Sequence, residues 1–192
     1  MTTIELFHAT TTESFPNLKS LPTLTPASHH DGVRVWGDSV GPPEFLYLGD
    51  LVSLVFGTKA INRVGGSLLL MKVSIPDTSL LPDPAFLKVV EKKPEILKGK
   101  PVSAELSLAL CGRVATTSSV KVTSVLEGTD LPGLTRELTA AGFIAHAERW
   151  EMPSIWREAS EQIQPARWIS TSADFRKVVG SRLIEGFFRV IT

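Results

Sequence analysis

The sequence predicts a mixed α+β domain with a mainly helical extension at its C-terminal end. Short apolar runs dominate residues 1–130, and runs of this kind are typical of buried strands. From Leu131 onward the apolar residues recur at helical spacing instead. The length of 192 residues and the hydrophobic fraction of 43% suit one compact domain. We therefore expect a core over residues 1–130 and a helical extension over residues 131–192 that packs on it.

The core is predicted to hold five strands and two short helices. Apolar runs predict the strands: Ile4–Phe7, Phe45–Leu48, Ser67–Ile75, Ala104–Leu110 and Ser119–Leu126. Apolar residues at helical spacing predict a helix over residues 51–60, with the Asp50 carboxylate as its N-terminal cap. A second short helix fits residues 85–92. Residues 23–44, rich in proline and glycine, predict a long loop, and long loops inside compact domains are often functional.

The extension is predicted to hold three helices and a final strand. Apolar residues at helical spacing mark the helices: Leu134, Leu138 and Ala141, then Ile155, Ala159 and Ile163, then Phe175, Val178 and Val179. Gly142 is expected to end the first helix, because glycine readily takes the left-handed conformation found at helix ends. Thr171 and Asp174 approximate a capping box for the third helix. Residues 187–191 predict the strand.

The composition narrows the function classes. Basic residues and acidic residues number 20 each, so the net charge is zero. Proteins that bind nucleic acids usually carry an excess of basic residues, and this chain has none, so we do not expect it to bind nucleic acid. The single cysteine, Cys111, cannot form an internal disulfide, which is typical of a reducing compartment. No apolar run reaches the ~20 residues needed to cross a bilayer, and the N-terminus lacks the pattern of a secretory signal. We expect a cytoplasmic protein, or one exported without a cleavable signal, with no membrane partner.

Three residues in the core are candidates for chemistry. His8 follows the first strand beside hydroxyl residues, where an imidazole can donate or accept a hydrogen bond. Tyr47, the only tyrosine, is either a core aromatic residue or a flat face on which a planar heterocycle stacks. Glu105 opens a predicted strand, where glutamate is disfavoured. It either faces water or places a carboxylate at a cleft, where the carboxylate can stabilise developing positive charge.

Two further groups of reactive side chains have structural interpretations. Residues 29–31, His-His-Asp, are adjacent, and adjacent side chains rarely bind one ion together, so we expect a polar loop and no metal. A nucleophilic Cys111 would need a histidine partner, and the sequence does not show whether His8 or His146 reaches it.

The order of the candidate residues resembles a known enzyme family. Along residues 3–127 the chain presents His8-x-Thr10 at a strand end, a long loop, Tyr47 on a strand, a helix, an apolar strand and then Glu105. This order resembles the His-Tyr-Glu class of ADP-ribosyltransferases, which includes the diphtheria-toxin-like and poly(ADP-ribose)-polymerase-like enzymes. The layout of the segment after Tyr47 is also similar to the rifampin-modifying branch.

The resemblance implies a split β-sheet core with a cleft for NAD and no requirement for a metal. His8 would bond a ribose hydroxyl, and Tyr47 would stack on the nicotinamide ring. The backbone at Ala9, where the family usually has glycine, would hold the nicotinamide carboxamide, and Thr10 would add a hydroxyl contact. Glu105 would bond the ribose 2′-hydroxyl and stabilise the oxocarbenium-like ribose as nicotinamide leaves.

The implied activity is mono-ADP-ribosyl transfer from NAD to a macromolecular acceptor, a protein rather than a nucleic acid, in the manner of a toxin or effector. The alternatives are an NAD glycohydrolase, which gives ADP-ribose to water, and a non-catalytic binding module on the same fold. The extension is expected to contribute to acceptor choice. Its tryptophans, Trp150, Trp156 and Trp168, either form a patch for the acceptor or pack the extension onto the core.

Overall fold

The computed structural model describes residues 2–15, 18, 20–26, 42–144 and 172–192. Within them the chain forms the mixed α+β structure that the sequence predicts, and its strands form one antiparallel sheet. The strands are β1 Thr3–Thr11, β2 Thr23–Leu24, β3 Leu46–Gly49, β4 Leu68–Pro76, β5 Leu81–Pro82, β6 Arg113–Thr116, β7 Val120–Gly128 and β8 Phe188–Val190. The α-helices are α1 Ser53–Val64, α2 Pro84–Lys92, α3 Ala104–Cys111, α4 Leu131–Ala140 and α5 Ala173–Phe187.

The sheet consists of two parts that meet at a single pair of residues. Its strand order is β2-β7-β4-β1-β3-β6-β5, and β8 also pairs with β7. Strand β1 pairs with β4 over the whole length from Thr3 to Thr11. Its ladder with β3 consists of one pair, Phe7 with Gly49. We call β1, β2, β4, β7 and β8 the first lobe and β3, β5 and β6 the second lobe.

Both faces of the central strand β4 are buried. Alternate side chains of a strand point to opposite faces, and Leu69 and Met71 lie in one apolar core while Leu68 and Leu70 lie in another. The first core lies between the sheet and α3, and the second lies between the sheet and helices α1, α4 and α5. Burial on both faces explains why this strand is apolar at almost every position.

The extension completes the second core and the sheet. Leu134, Leu138 and Leu183 are almost fully buried there against α1 and β4. Strand β8 pairs with β7, and the guanidinium of Arg189 lies 2.6 Å from the Glu127 carboxylate across that pair. The described part of the extension is therefore integral to the packing of residues 1–130.

Most of the predicted elements are confirmed, with small shifts at their ends. Strand β1 continues to Thr11, so His8 lies inside the strand rather than at its end. Helix α1 begins at Ser53 with Val52 as its N-cap, so the prediction that Asp50 caps this helix is wrong. The Asp50 carboxylate instead accepts the Val52 N–H at 2.9 Å, in the turn before the helix. At the start of α5 the Ser172 hydroxyl accepts the Phe175 N–H, whereas Thr171 lies outside the described residues.

The predicted strand over Ala104–Leu110 is wrong, because this segment is helix α3. The Ser103 hydroxyl caps its first turn by accepting the Leu106 N–H at 3.1 Å. At its other end Gly112 takes the left-handed conformation, with φ of 74°, and donates to Leu108 O. The segment is rich in leucine and alanine and contains no β-branched residue, so its intrinsic preference is helical. The alternation of polar and apolar residues at its start was a misleading strand signal.

Candidate active site

His8 bridges the two lobes beyond the point where their backbone pairing ends. Its Nδ1 lies 3.0 Å from the carbonyl oxygen of Tyr47 on β3. A carbonyl can only accept, so Nδ1 carries the proton and Nε2 of the neutral ring is an acceptor. Burial lowers the pKa of His8, and the hydrogen bond to Tyr47 only partly opposes this effect. The half-buried imidazole is therefore neutral at pH 7, and Nε2 has no partner among the described residues.

Ala9 and Thr10 continue β1 along the split between the lobes. Ala9 packs against α1 at Gly57, where an added Cβ would lie only 2.9 Å from the Ala9 Cβ. Thr10 is buried, and its backbone pairs with Leu69 of β4. In the described residues the ladder between β1 and β3 does not continue beyond Phe7. The edge of β1 at Ala9 and Thr10 that faces the second lobe therefore forms no backbone ladder with it.

Tyr47 lies on β3 with its ring half-buried. The ring packs edge-on against Phe45, with centroids 6.4 Å apart, and its hydroxyl donates to Pro42 O at 3.4 Å. Burial, followed by the negative charges of Asp83 and Glu44, raises the pKa of Tyr47 to about 12. The phenol is therefore un-ionised at neutral pH, and the Asp83 carboxylate is close enough to disfavour a phenolate there.

Asp83 is a second candidate carboxylate, and the sequence analysis does not single it out. It follows β5 directly, is almost fully buried, and caps α2 by accepting the N–H groups of Ala85 and Phe86 at 2.7 and 3.3 Å. The Arg113 guanidinium lies 3.4 Å from the same oxygen, Oδ1. Among the described residues Oδ2 has no hydrogen bond. The sequence feature that could have identified Asp83 is the pair Asp83-Pro84 after a short apolar run. This pair is typical of the start of a helix, and here it also places a carboxylate at the end of a strand.

Asp83, Arg113 and Tyr47 belong to one frame in the second lobe. Strand β6 lies between β3 and β5, so that Ala115 pairs with both Tyr47 and Leu81. Arg113 is buried and stacks over the Phe56 ring of α1 at 5.0 Å. Such a frame fixes the position of a buried carboxylate relative to the aromatic ring.

Ser107 on α3 ties β5 to β6 within this frame. Its hydroxyl donates to Arg113 O at 2.7 Å and accepts the Asp83 N–H at 3.0 Å. One buried hydroxyl therefore fixes the ends of both strands.

Glu105 does not join this frame. It is exposed at the start of α3, whereas Ser107 and Cys111 occupy the buried face of that helix. In the described part of the chain Glu105 forms no hydrogen bond or ion pair, and the hydrogen-bond partner of His8 is Tyr47 instead. A catalytic role for Glu105 stays a prediction.

Cys111 has a packing role in α3. Its Sγ is buried and lies 3.0 Å from Ser107 O, and burial raises the pKa of the thiol, which makes a reactive thiolate unfavourable. Residues 29–31, His146 and the tryptophans of the extension lie outside the described residues. Across the described ranges there is no cluster of three or more His, Cys, Asp or Glu side chains that could hold a metal.

No described helix is long and apolar enough to span a membrane. Comparison of the chain with protein-family models, with curated proteins and with solved structures gives no match. Function is therefore inferred from the residues of this chain and their geometry.

Proposed function

We propose that the protein binds NAD in the split between the lobes, cleaves the nicotinamide–ribose bond and transfers ADP-ribose to a protein acceptor. The observation that supports this most is the position of the split. The lobes part at Phe7 and Gly49, directly beside the contact between His8 and Tyr47. These two residues are the ones that resemble the NAD-binding histidine and tyrosine of the family.

His8 suits the recognition of a ribose hydroxyl. Its Nδ1–H is committed to Tyr47 O, which orients the ring and leaves Nε2 as an acceptor. A ribose hydroxyl can donate to that nitrogen. The lowered pKa of His8 keeps the acceptor lone pair available at neutral pH.

Tyr47 suits the nicotinamide ring. An un-ionised, half-buried phenol offers an aromatic face without a negative charge. The carbonyl of the same residue holds His8, so that the ring and the imidazole are positioned together.

Asp83 suits the carboxylate role better than Glu105 does. As nicotinamide leaves, positive charge develops on the ribose, and a fixed anion lowers the energy of that transition state. Asp83 is held by the backbone of α2 and by Arg113, and Oδ2 is the oxygen without a partner in the described residues. Exposed Glu105 has no comparable support. We therefore assign the carboxylate to Asp83.

Labelled NAD tests the proposed function. The full-length protein is incubated with NAD labelled in the adenylate half, with and without a cell lysate, and released nicotinamide is measured in parallel. Label on a protein together with free nicotinamide is the expected result. Free nicotinamide with all label in ADP-ribose indicates a glycohydrolase. Intact NAD in both incubations contradicts the proposal and favours a non-catalytic module.

A further inference from the structure

We infer that Arg176, in the extension, is a positioning residue that fixes the geometry of Tyr47 and Asp83 in the second lobe. The inference rests on the proposed function only for what these two residues do with NAD. Arg176 lies on α5 and is fully buried. A buried guanidinium is strongly unfavourable unless its donors are paired, so its partners show what it organises.

Among the described residues, the hydrogen-bond partners of Arg176 lie in two segments next to the frame of Asp83, Arg113 and Tyr47. Its Nε donates to Asp50 Oδ2 at 2.7 Å. Its Nη2 donates to the carbonyls of Leu108 and Ala109, at 2.8 and 3.1 Å. These carbonyls lie in the last turn of α3, where the helix dipole favours a cation. One side chain therefore joins the turn after β3 to the end of α3.

The first connection leads to Tyr47. Asp50 follows β3 directly, and its N–H donates to Gly112 O at 2.9 Å. Gly112 leaves no room for a side chain, because an added Cβ would lie 2.7 Å from Asp50 Oδ1. Burial raises the pKa of Asp50, and the positive charge of Arg176 opposes that rise. Without Arg176 this largely buried carboxylate would keep the Val52 N–H at Oδ1 but lose the cation at Oδ2, next to the strand that carries Tyr47.

The second connection leads to Asp83. Helix α3 carries Ser107, whose hydroxyl bonds both the Asp83 N–H and Arg113 O. A shift of α3 therefore moves the strand ends that hold the carboxylate and the guanidinium. The two connections together fix Tyr47 relative to Asp83.

Apolar packing alone already attaches the extension to the core. Leu134, Leu138 and Leu183 are almost fully buried in the second core. A buried ion pair is often no more stabilising than apolar residues of similar volume. The buried arginine is thus better explained by the geometry that it fixes than by the attachment of the helix.

Tyr47 provides a direct test, because it is the only tyrosine in the chain. Tyrosine labelled with 13C at Cζ gives one NMR resonance that reports the position of the ring without NAD. The variants are Arg176→Lys, Arg176→Met and the double variant Asp50→Asn with Arg176→Met, in the full-length protein. The matched control is Arg182→Met on the same helix, since the Arg182 side chain is 70% exposed and 3.8 Å from Glu137.

The expected result is a shifted Tyr47 resonance in all Arg176 variants and an unchanged one in the control. Nicotinamide release should fall by about 10- to 100-fold, because a displacement of about 1 Å is enough for such a loss. Arg176→Lys should show the smallest shift, since an ammonium can still reach Asp50. The double variant removes both charges, so it folds even where Arg176→Met alone does not.

A folded Arg176 variant with the wild-type Tyr47 resonance overturns the inference. A shifted resonance in a protein that does not cleave NAD supports the positioning role and contradicts the proposed function instead. Failure of the positioning role and failure of the proposed function therefore give different results.

Discussion

The two lobes of the sheet are stabilised in different ways. The first lobe contains three strands of nine residues, β1, β4 and β7, and β4 is buried on both faces by apolar side chains. The second lobe has short strands, and its interior holds the charged pair Asp83 and Arg113. Buried charges contribute little to stability but fix geometry when their partners are well placed. The difference indicates that apolar burial on both faces of β4 stabilises the first lobe, whereas the second lobe contains a buried charged pair. The proposed site takes His8 from the first lobe and Tyr47 and Asp83 from the second.

The largest expected effect is a loss of folding stability when the apolar core of the first lobe is disrupted. Leu70 on β4 is fully buried, and Leu70→Ala should lower the free energy of unfolding by about 2–5 kcal/mol. Nicotinamide release per folded molecule should stay unchanged. Urea denaturation measures the first quantity, and Leu87→Ala, at a 42% exposed position, is the control. A loss under ~1 kcal/mol would contradict the stabilising role of this lobe.

The second prediction concerns the proposed role of Asp83, which lies in the second lobe. Asp83→Asn keeps the shape of the side chain and removes its charge, and we expect nicotinamide release to fall at least ~100-fold. Glu105→Gln, at an exposed position, is the matched control and should remain near the wild-type rate. The reverse pattern would return the carboxylate role to Glu105. Circular dichroism checks that both variants fold.

A third prediction separates the ring of Tyr47 from its hydroxyl. Tyr47→Ala removes the aromatic face, and the loss of about 0.5–1.5 kcal/mol weakens NAD binding by up to about tenfold. Tyr47→Phe keeps the face and loses only the long hydrogen bond to Pro42, so it should bind almost as the wild type does. Calorimetric titration with NAD measures both. Equal losses in the two variants would exclude stacking as the role of the ring.

The smallest expected effect is a pH dependence of stability at His8. Its pKa is lowered in the folded protein, so below pH 6.5 the unfolded chain binds more protons at this site than the folded chain does. The free energy of unfolding therefore has its full value, as far as His8 is concerned, above pH 6.5. It decreases as the pH falls from 6.5 through the lower pKa that His8 has in the folded protein. Urea denaturation at several pH values should show this slope in the wild type and a smaller one in His8→Asn. An identical slope in both would show that His8 does not titrate differently on folding.

The parts of the molecule that depend on local pattern could be predicted from the sequence. The continuous apolar run of β4 and the helical spacing of α1 indicated their elements directly. Helix α3 was mistaken for a strand, because its polar and apolar residues alternate at the start while its caps, Ser103 and Gly112, decide its conformation. The alternation of polar and apolar residues therefore predicted the wrong element in the one segment whose conformation is decided by its capping residues.

The site could be predicted only in part. The order of His8 and Tyr47 in the sequence made them candidates, and the structure brings the His8 ring into contact with Tyr47 O. Their role in binding NAD stays a prediction. The burial of Asp83 beside Arg113 could not be predicted, since only the β5–β6 pairing brings the two residues together. Arg176 was missed because its partner Asp50 lies 126 positions away in the sequence. Contacts of such long range depend on the tertiary fold and leave no periodic signal.

An NMR titration with NAD tests the central claim most directly, because it observes one residue on each side of the split. His8 is followed through 15N-labelled imidazole, assigned by its loss in His8→Asn, and Tyr47 through its single 13Cζ resonance. If NAD binds between the lobes, the His8 Nε2 and Tyr47 Cζ resonances shift together and give the same dissociation constant. If neither resonance moves, or only one moves, NAD does not bridge the lobes at this site.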